Sequence, residues 1–422
     1  MPVLFVDVSD EDTFSNVAQQ VSELLNEGQT RTALADTPAT VFLNDCVNLV
    51  QEHRYDEYVS RMAQQVNLIY SKMSQKDADV CVNMLVHAVG RVPEERQASA
   101  AATLTAALVQ SDERAEDRLT ALLMLYGILA EQPAGQRAVL LAAAAYAARN
   151  ASKCRTAFCA AVRGKAPRWV SEWGLAPAEA RQLYLALAAA MRGATDRPST
   201  REHLSLVGLA LGLPAPAGVD QQGAEAAAGA LADYLRSASV FTLDLLPLAP
   251  VAALASHATY GALHKLAAAV AAGDVAGTRA AATAAALESV GGGVTQDVLL
   301  SKARMTALLS ACAGCGAGEV ALKDLAAAMD VPEDQVPTWI VRAIGAKMLE
   351  GRLDSCRGVL SVARATHPVF AAPQWAKLAS QLGALKETVA AAVEALGQVR
   401  PPPQLGARGI AAAAAAAAAS RA

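Results

Sequence analysis

The amino-terminal half of the chain alternates short apolar stripes with brief polar breaks. Apolar residues recur mostly three or four positions apart, first as Val17, Val21, Leu24 and Leu25, then as Phe42, Cys46, Leu49 and Val50, and then as Met62, Val66, Ile69 and Met73. This spacing places each stripe on one face of an α-helix, and the breaks predict helices of roughly 12 to 20 residues up to position 192. Paired helices with short connections are typical of a right-handed HEAT- or TPR-like helical-repeat solenoid, although no fixed sequence period is visible.

A second helical part follows, and then the pattern changes. Loop-like segments at 193–200 and 213–223 precede further helices, and the three glycines at 291–293 predict a hinge or loop. Beyond them we expect three helices, at 299–311, 320–329 and 332–346, and a small β-hairpin formed by 348–354 and 357–364. This order predicts a winged helix. We expect its third helix to be anchored in the core by Val336, by Trp339 or Ile340, and by Ile344.

A long carboxy-terminal helix is predicted at 371–397. Its apolar residues alternate spacings of three and four, which is the heptad pattern of a helix that packs along another helix: Trp375, Leu378, Leu382, Leu385, Val389, Ala392 and Leu396. We assign partner binding to Leu382, Leu385, Val389 and Leu396, whereas Trp375, nearest the winged helix, is expected to pack on that domain. The alternative is that the whole seam packs on the chain's own winged helix. Residues 398–422 form a Pro/Ala-rich tail that we expect to be flexible.

Composition narrows the functional classes. Hydrophobic residues make up 53% and aromatic residues 4% of the chain, because alanine dominates the apolar residues, and alanine favours helix. Despite a mean hydropathy of +0.25, no run of about 18 strongly apolar residues predicts a membrane span. The acidic amino terminus lacks the pattern of a secretory signal, and seven cysteines follow no disulfide framework. We therefore expect a cytoplasmic protein with reduced thiols and no membrane association.

The sequence favours neither catalysis nor a bound cofactor or metal. Cys312 and Cys315 have the spacing of half a zinc site, but no second ligand pair lies nearby, so structural cysteines at a helix end are the better interpretation. A net charge of -4 argues against a chain that grips nucleic acid by itself. In the predicted winged helix, acidic residues nearly cancel the basic ones. We therefore exclude sequence-specific nucleic-acid binding and assign any weak RNA or ribosome contact to Arg342, Lys347 and Arg352.

A helical-repeat solenoid that runs into a winged helix and a long final helix resembles the PCI domain family of scaffold subunits. Within that family, four stretches in the same order resemble subunit M of eukaryotic translation initiation factor 3: FVDVSDEDTF at 5–14, RWVSEW at 168–173, FTLDLLPLAPV at 241–251 and THPVFAAPQWAKL at 366–378. The chain departs from that family in its alanine content at 97–192 and 262–287, and its tail from residue 398 has no recognised counterpart.

The resemblance implies an all-α, non-catalytic scaffold whose partners are other PCI and MPN subunits of initiation factor 3, which reaches the small (40S) ribosomal subunit through the complex. The expected domains are a helical-repeat region at 1–192, a PCI domain at 199–365 with a helical part at 199–290 and a winged helix at 294–365, and the carboxy-terminal helix. The alternative is a PCI scaffold subunit of the signalosome or the proteasome lid.

Overall fold

A computed structural model of the chain describes residues 11–26, 37–194, 196–214, 221–315, 318–370 and 372–398. Apart from Gln398, the predicted flexible tail lies outside these residues, as does most of the stretch at 5–14. The chain divides into two compact units, Met1–Val369 and Phe370–Ala422. The first unit holds both the helical repeats and the winged helix, so the predicted boundary near residue 192 stays a prediction.

The described part of the chain is almost entirely helical. Its first seventeen α-helices are α1 (Glu11–Asn26), α2 (Pro38–Gln51), α3 (Tyr55–Ala63), α4 (Val66–Lys72), α5 (Gln75–Arg91), α6 (Glu94–Val109), α7 (Ala115–Ile128), α8 (Pro133–Arg149), α9 (Ala151–Val162), α10 (Ala166–Glu172), α11 (Pro177–Met191), α12 (Arg197–Leu211), α13 (Gln221–Arg236), α14 (Ala249–Ala253), α15 (Gly261–Ala272), α16 (Val275–Ala281) and α17 (Ala284–Val290). A short 3-10 helix, Leu254–Ser256, follows α14.

The winged helix follows, and then the final helix. Its elements are α18 (Gln296–Cys315), β1 (Glu319–Ala321), α19 (Leu322–Met329), a 3-10 turn (Glu333–Gln335), α20 (Val336–Gly345), β2 (Leu349–Asp354) and β3 (Val359–Ala365), and the second unit contains α21 (Ala372–Gln398). This order confirms the prediction of an all-α chain with helical repeats, a winged-helix module and a long carboxy-terminal helix.

Local sequence signals explain where many of these helices begin and end. The Asp274 side chain accepts a hydrogen bond from the Gly277 amide and caps α16. Prolines occupy the first turn of seven helices, where their missing N–H costs nothing. Glycines 291–293 all have φ near +69°, a conformation that favours glycine, and they end α17 in a turn. The predicted break at these glycines is confirmed.

The repeats stack so that each helix packs on a helix of the next pair. α5 packs on α7, α6 on α8, α7 on α9, and α8 on α11, around one continuous apolar core that runs from Phe14 to Leu299. A series of side-chain hydrogen bonds joins residues 37 to 43 positions apart, including Arg96 to Asp56 and Arg149 to Asp112. This interval is close to the length of a HEAT repeat. The structure therefore has a period that the residue pattern does not display.

The winged helix has a sheet of three strands rather than the predicted two. The strand order is β1-β3-β2 and both pairings are antiparallel, with Val320 opposite Leu360 and Arg352 opposite Ser361. β1 was not predicted because three residues are too few to show an alternating pattern, and the strand exists through its pairing with the distant β3. The second apolar core of the unit lies between this sheet and the helices α18, α19 and α20.

One described helix, α18, is long and apolar enough to cross a membrane by length and composition. However, 61% of its most apolar window is buried inside the fold, as expected of a helix at the centre of a domain.

Candidate partner-binding site

The carboxy-terminal helix carries the clearest exposed apolar surface of the described chain. α21 is 27 residues long, and Leu382, Leu385, Val389 and Leu396 are 55%, 58%, 52% and 72% exposed. Because they are three, four and seven residues apart, they lie on one face of the helix. The helix has four charged residues, Lys377, Lys386, Glu387 and Glu394, two of each sign. This surface fits a helical partner, and the roles of the four residues stay predictions.

Trp375 lies in the first turn of the same helix and is 61% exposed. Its ring meets the ring of Phe370 edge to face, with centroids 4.8 Å apart. This geometry is favourable for an aromatic pair and fixes the indole near the start of α21.

The third helix of the winged domain buries a narrower stripe than predicted. Val336 and Ile340 are buried with Ala343, at spacings of four and three, and Trp339 packs at the edge of the same core. Ile344 is 39% exposed, so its assignment to the core is wrong. It lies about 100° around the helix from Ala343, which turns its side chain away from the core.

The basic residues of the winged helix are largely occupied by contacts within the domain. The guanidinium carbon of Arg342 lies 4.7 Å from the centroid of the Trp339 ring, a cation–π contact. Arg357 pairs with Glu319 at 2.9 Å and Arg364 with Glu350 at 3.6 Å. Arg352 is exposed on β2, and Lys347 has a φ of 57° in the turn after α20. A weak RNA contact through Arg342, Lys347 and Arg352 stays a prediction.

A buried lysine that sequence reasoning missed joins the solenoid to the winged helix. Lys302, on α18, donates from Nζ to the carbonyl oxygens of Tyr234 and Ser237 at the end of α13. The ammonium also lies 3.8 Å from the centroid of the Tyr234 ring. Burial lowers the Lys302 pKa well below its usual value, because desolvation disfavours the charged form. The sequence signal was a lysine inside the apolar run of α18.

Two of the stretches that carry the family resemblance meet in space. The amide of Leu243, in the stretch 241–251, donates to the carbonyl of Pro368 at 2.8 Å, in the stretch 366–378. The neighbouring Phe241 belongs to the core of the winged helix. In the stretch 168–173, Trp169 and Trp173 stack with centroids 6.0 Å apart. These contacts therefore all lie inside the first unit.

The cysteine pair at the end of α18 has two different environments. Cys312 is buried, and desolvation raises the pKa of its thiol to about 11, whereas Cys315 is exposed. Among the described residues, no group of three or more histidine, cysteine or acidic side chains is arranged to hold a metal ion.

Comparison with known proteins gives related sequences but no matching family model. The chain is 32% identical over 220 residues to eukaryotic translation initiation factor 3 subunit M of Aspergillus oryzae, 31% over 220 residues to that of Aspergillus terreus, and 30% over 219 residues to that of Aspergillus clavatus. Each alignment covers 51% of this chain and 46% or 47% of the relative. The chain thus spans about half the length of the curated relatives it matches.

Proposed function

We propose that the chain, which is similar over half its length to subunit M of eukaryotic translation initiation factor 3, is a member of that family and a non-catalytic scaffold subunit of the factor. In this role it supports assembly of the 43S and 48S preinitiation complexes on the small ribosomal subunit. Its partners are the other PCI and MPN subunits of the factor, it reaches the 40S subunit through the complex, and it acts in the cytoplasm.

The observation that supports this proposal most directly is the apolar seam of α21. Four large apolar side chains on one helical face are more than half exposed. Exposed apolar patches that repeat along a helix are typical of surfaces that a second protein covers. A scaffold subunit needs such a surface, whereas a freely acting enzyme or a nucleic-acid reader does not.

The test replaces Leu382 and Leu385 with aspartate and follows assembly in cells. A carboxylate buried without a partner in a helix bundle costs several kcal/mol. The double variant should fold with an unchanged circular dichroism spectrum but fail to co-sediment with the other subunits of initiation factor 3 on a gradient. The matched control is Ser380→Asp with Ala391→Asp, which adds the same charge to the opposite face of α21.

The two variants separate the seam from a general effect of charge. Normal assembly of the Leu382→Asp, Leu385→Asp variant would contradict the proposed role of the seam. Affinity purification of the wild-type chain also separates the alternatives with the same domain. Ribosomal proteins in the eluate support the initiation-factor proposal, whereas cullins or proteasome base subunits would identify the signalosome or the proteasome lid.

A further inference from the structure

Charge is distributed unevenly along the chain. Residues 132–201, which run from the start of α8 into α12, contain eleven basic and three acidic residues, a net charge of +8. The remaining 352 residues contain 25 basic and 37 acidic residues, a net charge of -12. By contrast, residues 294–365 of the winged helix contain eight of each sign. Such asymmetry within a chain is a recognised sign of a polyanion-binding region.

Some of these cations form ion pairs or hydrogen bonds within the chain. Arg137 pairs with Glu179 at 2.9 Å, and Arg149 pairs with Asp112 at 2.9 Å. Arg155 donates to the carbonyls of Arg192 and Gly193 beyond the end of α11. Five further cations are exposed and make no ion pair within the described ranges. Lys153 lines a cleft with Glu116 and Asp117, which leaves four others: Arg163, Lys165, Arg192 and Arg201.

These four residues lie along the boundary between α9 and α12. The bonds from Arg155 bring Arg192 beside the start of α9. At the other end of α9, the Gly164 amide donates to Glu202 Oε1 at 3.0 Å. Arg163 and Lys165 flank Gly164 and Arg201 precedes Glu202, so this hydrogen bond brings the three cations close together in the chain's fold. A helix of 12 residues spans about 18 Å, so the four cations occupy a strip of about that length.

The strip keeps a positive balance after its acids are counted. The acids that act on Arg163 are Glu202 and Asp196. Asp196 is also held by the Ser199 amide as the cap of α12, and Glu202 by the Gly164 amide. The half-buried Arg155 adds one more positive charge beside Arg192, whereas Arg197 donates to the Ala346 carbonyl and the Met348 sulfur of the winged helix and is not counted. Two further carboxylates lie close by: Asp233 accepts from the Gly193 amide and pairs with Arg236, and Asp244 lines a cleft together with Arg201. With Arg155 and Arg236 included, six cations stand against four carboxylates, and the remaining positive charge favours a ligand with a regular series of negative charges.

We propose that this strip, formed by Arg163, Lys165, Arg192 and Arg201, binds the phosphate backbone of RNA without sequence preference. The strip, and not the charge-balanced winged helix, is then the main RNA-contacting surface of the chain. The proposal goes beyond the scaffold role and does not depend on α21, so the seam variants leave it unaffected.

The experiment measures binding of a fluorescein-labelled oligouridylate 12-mer to the full chain by fluorescence anisotropy at 50 to 200 mM KCl. Four phosphate contacts to a single strand give a slope of about -2.8 in a plot of log affinity against log salt concentration. The variant Arg163→Gln, Lys165→Gln, Arg201→Gln should bind more than tenfold more weakly at 50 mM KCl, with a slope near -0.7. The matched variant Arg342→Gln, Lys347→Gln, Arg352→Gln should retain the wild-type slope.

Equal losses in the two triple variants, or no binding by the wild-type chain at 50 mM KCl, would overturn the proposal. A competition with poly-L-glutamate identifies the class of ligand. If that polymer displaces the RNA at a lower concentration of charge than unlabelled oligouridylate does, the strip is a site for acidic protein and the RNA assignment is wrong. The melting temperature of both variants should match the wild type, since the replaced side chains are exposed.

Discussion

Several buried basic side chains in this protein serve the ends of helices rather than acidic partners. Arg118 is fully buried and donates to the carbonyl of Leu108 in the last turn of α6 at 3.0 Å, and Lys302 donates to carbonyls at the end of α13. The last carbonyls of a helix lack partners inside the helix and carry partial negative charge. A buried cation is tolerated there because its donors are satisfied, even though burial lowers the pKa of both side chains.

This environment makes stability depend on pH through Lys302. Its folded pKa is lowered, so between that value and the ordinary lysine pKa of about 10.4 the unfolded chain binds more protons than the folded one. Stability from this residue therefore rises with pH across that window. We expect the free energy of unfolding of wild type, minus that of Lys302→Met, to increase between pH 7 and pH 10, as measured by urea titration.

The exposed Lys323→Met on α19 is the control for the loss of a positive charge. Its profile should run parallel to that of the wild type. If the pH profiles of unfolding free energy for Lys302→Met and the wild type were also parallel, the lowered pKa of Lys302 would be contradicted.

Among the elements, α20 shows how one turn of helix decides which residues form a core. The buried face of α20 carries Val336, Ile340 and Ala343. Ile344 lies on the neighbouring face, toward solvent. Pro337 lies in the first turn of α20, and the regular helix begins at Val336. This starting point decides which side chains of α20 lie on its buried face. A change at Ile340 should therefore differ sharply from the same change at Ile344.

We expect Ile340→Ala to lower the free energy of unfolding by about 2 to 5 kcal/mol, because it removes buried methyl groups and leaves a cavity. Ile344→Ala makes the same chemical change at a partly exposed position and should cost less than about 1 kcal/mol. Equilibrium denaturation of the two variants beside the wild type measures the difference. Equal losses would mean that Ile344 is packed after all.

The element order of the winged helix could be predicted because each helix and the hairpin carry their own apolar spacing. β1 could not be predicted, since it forms only by pairing with β3, whose first residue, Val359, is 38 positions after its partner Ala321. The repeat interval was also hidden, for a related reason. Some of its hydrogen bonds end on backbone carbonyls, such as Arg114 to Met73, and others begin at backbone amides, and a backbone group requires no particular residue type at its position. For the candidate surfaces, spacing located the seam of α21, but the α9–α12 strip required the fold to bring separate segments together.

At the scale of the whole molecule, the two large apolar cores of the first unit share a boundary. Phe241 lies between α13 and α14, two helices of the solenoid, yet its buried ring packs in the core of the winged helix. Leu243, two residues later, belongs to the solenoid core and donates its amide to Pro368. The segment around 241 therefore couples the stability of the winged helix to that of the repeats.

Phe241→Ala should cost about 3 to 5 kcal/mol and should loosen the winged helix first. Hydrogen exchange followed by mass spectrometry should show faster exchange in α18, α20 and β3, with little change in α5 to α9. The matched variant is Phe158→Ala, at a buried ring on α9, which should produce the reverse pattern. Faster exchange in the same helices for both variants would show that the unit opens as one body.

The interval of about 40 residues between partners in successive repeats also has a consequence for biosynthesis. A helix pair can complete its contacts once roughly one further repeat has emerged, which takes about 2 to 8 s at 5 to 20 residues per second. The winged helix must wait longer, because Arg197 meets Ala346 across 149 residues of chain. Folding of the first unit should thus proceed from the amino terminus during translation. The apolar groups of the 241 segment would be the ones that stay uncovered longest, and thus the ones that a chaperone would meet on the nascent chain.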